Sequence, residues 1–335
     1  MRLGPLADFG GVQAVRRCFA SAPTWPPGTA SGSPRSFHIA MMAGMARRLV
    51  VPEDLARAAA REGREDWLAE LPVLVERIAA GWHIEVDDPF LPGGQTAWVA
   101  PARDDAGHDL VLKVCWPHPE AVHEADGLRT WDGAGAVRLY RAGGLAAATV
   151  LLLERCRPGT QLRAAAPGEH DRVVASLLRR LWIEPPPGHC FRPLSQMCDD
   201  WAGRYEQRSR SERSCLKAPV ANQGIRLLRE LPRRGGDAVL LHTDLHAGNV
   251  LAAGRERWLA IDPKPYVGDP GYDVTQHIFN AVFIEEADAG RLASRMASLL
   301  DLDLDRILLW LFARAVEASP YWAGMADLAQ SLAPS

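Results

Sequence analysis

The sequence predicts an α+β protein with two lobes, a strand-rich lobe followed by a mainly helical one. Short apolar runs, "TAWVAPA", "DLVLKVC" and "TVLLLER", are typical of strands and lie in the first half of the chain. Beyond them, apolar residues at helical spacing indicate helices at roughly 169–182, 194–210, 220–231, 272–286, 288–300 and 303–318. One group of strands, "AVLLHTD", "NVLAA" and "WLAID", interrupts these helices. A chain of 335 residues that is 47% hydrophobic can bury the cores of both lobes.

We expect three segments along the chain: an extension over 1–48, a strand-rich lobe over 49–154 and a helical lobe over 155–335. The first segment has six arginines and one acidic residue, Asp8, and contains the tract "SAPTWPPGTASGSPRS". This composition does not support a periodic helix or strand, so it predicts disorder. A transit peptide is the alternative, although the segment lacks the apolar core of a secretory signal.

The strand-rich lobe is expected to begin with helices. "PEDLARAAARE" has an acidic start, and an apolar stripe follows it in "EDWLAELPVLVERIAAGW", where Pro72 is expected to kink or restart the helix. The polar turn "RDDAGH" between two apolar runs predicts an antiparallel hairpin, and "PEAVHEADGLRTW" predicts a further helix.

Charge and hydropathy exclude several classes of function. The formal net charge is −3, so no overall positive field favours nucleic acid. Charged residues interrupt every long apolar stretch, which excludes a membrane span. The six cysteines form no CxxC pair, which predicts reduced thiols in a cytoplasmic protein, and we expect a monomer or weak dimer. The cysteines are Cys18, Cys115, Cys156, Cys190, Cys198 and Cys215.

The histidines do not predict a zinc site. His242 and His246 are four residues apart, but they lie in a turn with Gly248 and lack the glutamate of an HExxH helix. His242 is expected to hydrogen-bond the surrounding loop, and His246 to be packed or near substrate. His118 and His123 have no matching ligands nearby in the sequence.

The polar residues of the strand group predict a phosphoryl-transfer site. Asp244 and Asn249 follow one strand, and Asp262 follows the hairpin after it. Protein kinases use the same order: the first Asp accepts the proton of the acceptor hydroxyl, and the Asn and second Asp hold magnesium. Hard oxygen ligands suit a metal that bridges phosphates. The alternative is that Asp244 and Asn249 only shape a turn.

A lysine in an apolar strand predicts the other half of this site. Lys113 stands alone in "LVLKVC", and an unpaired buried ammonium would be costly, so it must pair, reach solvent or bind a ligand. Glu124 in the following helix is the natural partner, as in kinases, where the lysine holds the α- and β-phosphates. Glu120 is the rival partner. A surface lysine on an edge strand is the alternative.

Two further segments are candidates for nucleotide contact. The segment "LPGGQTAW" offers Gly93, Gly94, Gln95 and Thr96, whose backbone N–H groups could approach a phosphate closely. An ordinary turn explains that segment equally well, because it is neither GxGxxG nor a Walker loop. The strand that ends at Glu154 occupies the position between lobes whose backbone would meet an adenine; the alternative is a core strand.

With these motifs, the chain resembles the aminoglycoside phosphotransferases, and specifically their streptomycin 6-phosphotransferase and hydroxyurea kinase branch. The resemblance is carried by "HTDLHAGNVLAAGRERWLAIDPKPYVGDPGYD", "DLVLKV" and "TVLLLERCRPGTQL". It implies a protein-kinase-like bilobal fold, ATP and Mg²⁺ as cosubstrates, and phosphorylation of an antibiotic hydroxyl. By position, Asp244 would be the base, Asn249 and Asp262 the metal ligands, and Lys113 the phosphate-binding lysine. Thr243 departs from the family, which usually has a small or aromatic residue there.

The resemblance also predicts the substrate. Streptomycin carries guanidinium groups, which pair well with carboxylates, so Asp199 and Asp200 are candidate substrate contacts together with His246. A solvated helix face is the alternative for the two aspartates. Two other functions stay open: a kinase for hydroxyurea or another hydroxylated metabolite, and an inactive nucleotide-binding module.

Overall fold

The computed structural model describes residues 49–335, apart from 146–147, 212–215, 235–237, 286, 323 and 335. The extension predicted over 1–48 lies outside the described residues, as do Cys18 and Cys215. Within the described part, the chain up to Glu154 forms a five-stranded sheet with three helices, and helices dominate after it, so the predicted α+β fold with two lobes is confirmed.

Two helices open the strand-rich lobe, α1 (Glu53–Glu62) and α2 (Glu65–Trp82). The break between them falls at Gly63, whose left-handed φ of 64° closes α1, and α2 runs through Pro72 without interruption. The helix therefore does not restart at Pro72, and that part of the prediction is wrong. Proline removes a single backbone hydrogen bond, whereas α2 buries apolar side chains on both sides of it, among them Leu71 and Leu74, against the sheet.

The sheet of this lobe has five antiparallel strands in the order β1, β2, β3, β5, β4. The predicted hairpin forms β2 and β3, and "TVLLLER" contributes β5. The short first strand and the glycine-containing fourth strand have weak strand signals and were not predicted. The strands are β1 (Ile84–Val86), β2 (Ala97–Asp104), β3 (Asp109–Cys115), β4 (Leu139–Leu145) and β5 (Ala148–Glu154).

Helix α3 (Glu124–Trp131) follows β3 after a 3₁₀ turn at Pro119–Ala121. It is shorter than the predicted helix because the proline turn precedes it. Gly127 lies so close to Pro265 that a Cβ at this position would overlap the proline ring. This close approach places the first turns of α3 against the loop that contains Asp262.

The helical lobe is built around a buried helix, α9. Its residues Trp310, Leu311, Phe312 and Ala313 are fully buried in the main apolar core. The six predicted helices are observed to within about two residues at each end. The helices of this lobe are α4 (Pro167–Leu181), α5 (Leu194–Ser211), α6 (Ala218–Glu230), α7 (Pro270–Glu285), α8 (Ala289–Leu300), α9 (Leu304–Ala318) and α10 (Met325–Leu332). No helix in the described ranges is long and apolar enough to cross a membrane.

Two small antiparallel ladders in the helical lobe bring two loops together. Strand β6 (Val239–Leu241) pairs with β9 (Tyr266–Gly268), and β7 (Val250–Ala252) pairs with β8 (Trp258–Ala260). The chain from 242 to 249 follows β6, and the chain from 261 to 265 follows β8. Their backbones are joined by hydrogen bonds from Ile261 N–H to Asn249 C=O (2.9 Å) and from Lys264 N–H to His242 C=O (3.0 Å).

Candidate active site

The loop after β6 is fixed by a buried carboxylate. Asp273, in the first turn of α7, accepts hydrogen bonds from the backbone N–H groups of His242 (2.9 Å) and Thr243 (2.5 Å) and from the indole of Trp182 (3.0 Å). Burial raises the pKa of Asp273 to about 6, and these three hydrogen bonds act in the opposite direction. The carboxylate therefore braces the loop by binding its N–H groups.

Thr243 takes a strained backbone conformation at the centre of this loop. Its φ is 57°, in the left-handed region that β-branched residues seldom adopt. The strain is held by its N–H bond to Asp273 and by its hydroxyl, which donates to the carbonyl of Lys264 (2.5 Å). This threonine, the departure from the family pattern, links the two loops of the site.

Asp244 is surrounded by groups that orient its carboxylate. Gln276 Nε2 donates to its Oδ1 (2.9 Å), and Lys264 Nζ lies 3.2 Å from its Oδ2. Asn249 Nδ2 donates to its backbone carbonyl (3.0 Å) and contacts Oδ2 at 3.4 Å. The backbone N–H of Asp244 donates to Nδ1 of His242 (3.3 Å). The predicted pair Asp244 and Asn249 is thus in direct contact.

The neutral imidazole of His242 holds the backbone of Asp244 in place. The ring is fully buried, and burial lowers its pKa to about 4. Because Nδ1 accepts from the Asp244 N–H, Nε2 carries the proton and donates to the carbonyl of Ile261 (3.2 Å). The expectation that His242 hydrogen-bonds its own loop agrees with this geometry.

Lys113 joins the sheet to the helical lobe. Its ammonium contacts both oxygens of Glu124 (2.7 and 2.8 Å) and Oδ1 of Asp262 (2.5 Å). Burial alone would lower the pKa of Lys113, but the charges of Asp262 and Glu124 outweigh it and raise that pKa. Glu120, the rival partner, instead pairs with Lys264 at 2.9 Å.

Neighbouring lysines keep the Asp262 carboxylate ionised although burial opposes its charge. Burial acts to raise the pKa of Asp262, but the charge and hydrogen bond of Lys113 lower it well below the ordinary range of a carboxyl group, and the charge of Lys264 acts in the same direction. Its side chain is 46% exposed, so oxygen atoms are accessible to a metal ion. The backbone bond between Ile261 and Asn249 places the two predicted metal ligands in adjoining loops.

The predicted phosphate loop lies between β1 and β2, at the same end of the sheet as Lys113. Gly93 has a φ of 87°, and a Cβ there would lie 2.6 Å from the side chain of Pro52, so this turn and its packing require glycine. Gln95 is exposed and accepts a long hydrogen bond from Arg61 (3.4 Å). The carbonyl of Thr96 accepts from Trp116 N–H, and a Cβ on Gly94 would meet only the carbonyl of Ala97, at 3.4 Å.

Glu154 is engaged in contacts within the protein. Its carboxylate receives two hydrogen bonds from Arg255 (3.0 and 2.9 Å) and one from the backbone N–H of Arg138 (3.0 Å). Its N–H donates to the carbonyl of Arg138 (2.9 Å). The predicted adenine contact would therefore need another backbone group of this segment.

The three predicted substrate residues occupy different surroundings. Asp199 forms an ion pair with Arg233 (2.5 Å), so its carboxylate is already occupied. Asp200 is exposed on α5, and its charge acts on buried Tyr266, beside the region of Glu120. His246 accepts from Gly248 N–H, and its Nε2 lies 4.0 Å from Oδ1 of Asp244. His246 thus lies beside Asp244, Asp200 lies near Tyr266, and Asp199 is paired with Arg233.

Sequence reasoning missed two residues that contact Asp244. Lys264 was not predicted, although a lysine two residues beyond a candidate metal ligand is a usable signal. Gln276 lies one turn beyond Asp273 on α7, so helical spacing places both side chains toward the same loop.

The two lobes, the lysine–glutamate pair and the Asp–Asn–Asp set define a phosphotransferase of the protein-kinase-like fold. A solved structure of a thermostable mutant aminoglycoside phosphotransferase, in complex with ADP and hygromycin B, is similar with a TM-score of 0.51 and 15% identity, covering 77% of this chain and 94% of that one. Residues 81–325 match the aminoglycoside/hydroxyurea antibiotic resistance kinase family, and the chain belongs to this family.

Curated relatives support the same assignment. A streptomycin 6-kinase of Streptomyces griseus is 35% identical over 301 residues, which cover 85% of this chain and 94% of that protein. A hydroxyurea phosphotransferase of Kitasatospora aureofaciens is 34% identical over 283 residues, covering 80% and 78%. The predicted family and kinase-like fold are confirmed, and the chain is a phosphotransferase.

Proposed function

We propose that this chain inactivates streptomycin by transferring the γ-phosphate of ATP to one of its hydroxyl groups. The observation that carries the proposal is the contact of Lys113 with Asp262 and of Lys264 with Asp244, on adjoining loops, in a chain 35% identical to a streptomycin 6-kinase. These contacts bring together the groups that phosphoryl transfer requires: a phosphate-binding cation, metal-binding oxygens and a base.

The donor set fits Mg²⁺. Asn249 and Asp262 supply an amide oxygen and a carboxylate, which are hard ligands, and Lys113 keeps Asp262 ionised. When bound, the metal neutralises charge on the phosphates and holds them for in-line attack. Lys113 would hold the α- and β-phosphates, while Glu124 fixes the direction of its side chain. The bound ADP of the structurally similar phosphotransferase is consistent with nucleotide binding by this fold.

Asp244 is the base of the proposed reaction. The acceptor oxygen forms a bond to the γ-phosphorus, the bond from that phosphorus to the bridging oxygen of ADP breaks, and the hydroxyl proton passes to the Asp244 carboxylate. Gln276 and the His242-supported backbone hold this carboxylate in place. Lys264 lies between Asp244 and Glu120, where its charge can stabilise the phosphoryl group during transfer.

An exposed carboxylate beside the site favours a cationic substrate. Glu120 is 47% exposed and pairs with Lys264, which contacts Asp244. Asp200 is also exposed and lies near Tyr266, whose ring is covered by Arg192 at 4.6 Å. Guanidinium groups of streptomycin can form paired hydrogen bonds with such carboxylates. Hydroxyurea is the second candidate, because the hydroxyurea phosphotransferase is nearly as similar as the streptomycin kinase.

Incubation of the full chain with ATP, Mg²⁺ and each acceptor tests the proposal. Mass spectrometry of streptomycin should show the gain of one phosphoryl group, accompanied by an equal amount of ADP. The Asp244→Asn variant should form both products at least about 10²-fold more slowly while still binding ATP. Phosphorylation of hydroxyurea with streptomycin unchanged would favour the second candidate. ATP binding without turnover on any acceptor would contradict both.

A further inference from the structure

A cluster of three metal-binding side chains lies outside the phosphoryl-transfer site. His123 directly precedes α3 and Asp126 lies in its first turn, while Cys190 comes from the segment between α4 and α5. Cys190 Sγ is 3.3 Å from Asp126 Oδ2 and 3.6 Å from His123 Nδ1, and the nitrogen is 3.5 Å from the same carboxylate oxygen. The cysteine is more than sixty residues from its partners along the chain, so sequence spacing gives no sign of the cluster.

The three distances are those of a tetrahedral zinc site. Ligand atoms at zinc distances of about 2.0–2.3 Å, in tetrahedral directions, lie about 3.3–3.7 Å from one another. Each of the three observed separations falls in this interval. A single ion could therefore contact all three atoms with little movement of the side chains.

The surroundings of the cluster also suit a metal. His123 is 6% exposed, and its ring packs edge-on against Phe191, which restricts its rotation. The second oxygen of Asp126 is bound by Arg129 at 2.9 Å, so the carboxylate is oriented with Oδ2 toward the cluster.

We propose that Cys190, His123 and Asp126 bind Zn²⁺ or a similar transition-metal ion, separately from the magnesium of the catalytic site. A thiolate and an imidazole select zinc over magnesium or calcium, which prefer oxygen ligands alone. Binding transfers the thiol proton to solvent as the sulfur–metal bond forms. The ion would tie the start of α3 to the helical lobe, and Glu124, the partner of Lys113, lies between the two ligands in α3.

Cobalt replaces zinc as a spectroscopic probe of this site. The full chain, reduced and freed of metal with a chelator, should bind one Co²⁺ per chain and develop a thiolate-to-cobalt charge-transfer band, which added Zn²⁺ then removes. Cys190→Ser should abolish the band, and Asp126→Asn should weaken Co²⁺ binding. Cys156→Ser is the matched control: burial raises the pKa of Cys156 to about 12, so it is a poor thiolate source and the band should be unchanged.

A second measurement needs no variant and therefore does not depend on folding of a mutant. Alkylation of the wild-type chain, followed by peptide mapping, should show slower modification of Cys190 when Zn²⁺ is present. The map separates Cys190 from Cys18 and Cys215. The proposal is wrong if Zn²⁺ leaves alkylation of Cys190 unchanged, or if a folded Cys190→Ser variant keeps the cobalt band.

Discussion

Lys113 and Lys264 each pair with two carboxylates in this site, but the two clusters differ in which side chains are buried. In the Lys113 cluster, formed with Glu124 and Asp262, the lysine and glutamate side chains are 10% and 3% exposed, whereas Asp262 is 46% exposed. The Lys113 ammonium is therefore buried, and the Asp262 carboxylate, which could bind a metal, reaches solvent. This cluster therefore combines a structural ion pair with an accessible ligand.

The Lys264 cluster, formed with Asp244 and Glu120, has the opposite distribution. Asp244 is 14% exposed, while Lys264 is 31% and Glu120 is 47% exposed. The candidate base is shielded, and the cation and its second partner reach solvent. From this difference we expect Lys113 to contribute to both folding and nucleotide binding, and Lys264 to contribute mainly to turnover.

Replacing Asp244, the shielded base, should have the largest effect on activity. Asp244→Asn keeps the size of the side chain but cannot accept the hydroxyl proton, so kcat should fall by about 10²- to 10⁴-fold. ATP affinity should change little, because Lys113 and Asp262 are intact. Steady-state kinetics and ATP titration measure both quantities. Asp105→Asn, at an exposed aspartate in the turn between β2 and β3, is the control and should keep full activity. Normal turnover by Asp244→Asn would disprove its role.

Removal of the buried cation should affect stability as well as nucleotide binding. Lys113→Met leaves Glu124 buried without a partner, which should lower the free energy of unfolding by about 3–5 kcal/mol and weaken ATP binding. Urea unfolding and ATP titration are the measurements. The double variant Lys113→Met with Glu124→Leu should recover most of the stability but not the ATP affinity. If the single variant is as stable as the wild type, the ion pair is not structural.

Replacing Lys264, the partly exposed lysine, should lower turnover with little loss of stability. Lys264→Met should lower kcat about 10- to 100-fold, the value of one or two hydrogen bonds between charged groups, with the KM for ATP nearly unchanged. The free energy of unfolding should fall less than in Lys113→Met, because Lys264 and Glu120 are partly solvated and Gln276 still donates to Asp244. Lys217→Met, at an exposed residue before α6, is the matched control. A loss of stability as large as that of Lys113→Met would remove the distinction between the clusters.

The two lysines also differ in how well the sequence could predict them. Lys113 interrupts an apolar strand, so the cost of an unpaired buried charge indicated a partner, and Glu124 lay close by in the next helix. Lys264 lies in a loop between two prolines, where lysines are usually solvated. Its partners come from distant parts of the chain, and only the folded loops bring them within reach.

Helices and strands differ in the same way in how well the sequence predicts them. Long helices with a continuous apolar stripe, such as α9, were predicted because their periodicity extends over many residues. Strand β1 has three residues, and β4 contains Gly143 and Gly144, so neither carries a periodic signal, and both form by pairing with stronger neighbours. The same tertiary packing carries α2 through Pro72. Local patterns thus predict the elements that are stable by their own sequence, and pairing supplies the others.

The smallest predicted effect concerns the threonine that joins the two loops. Thr243→Gly removes about 1–3 kcal/mol of backbone strain at a φ of 57° but loses the hydroxyl bond to the Lys264 carbonyl, worth about 1 kcal/mol, so the net change in stability should be within about 2 kcal/mol. Thr243→Ser keeps this bond and is the matched control. If the tether positions Lys264, Thr243→Gly should have a lower kcat than Thr243→Ser, as kinetics at saturating ATP would measure. Equal kcat values would mean that Asp273 alone fixes the loop, since it also binds the backbone of residue 243.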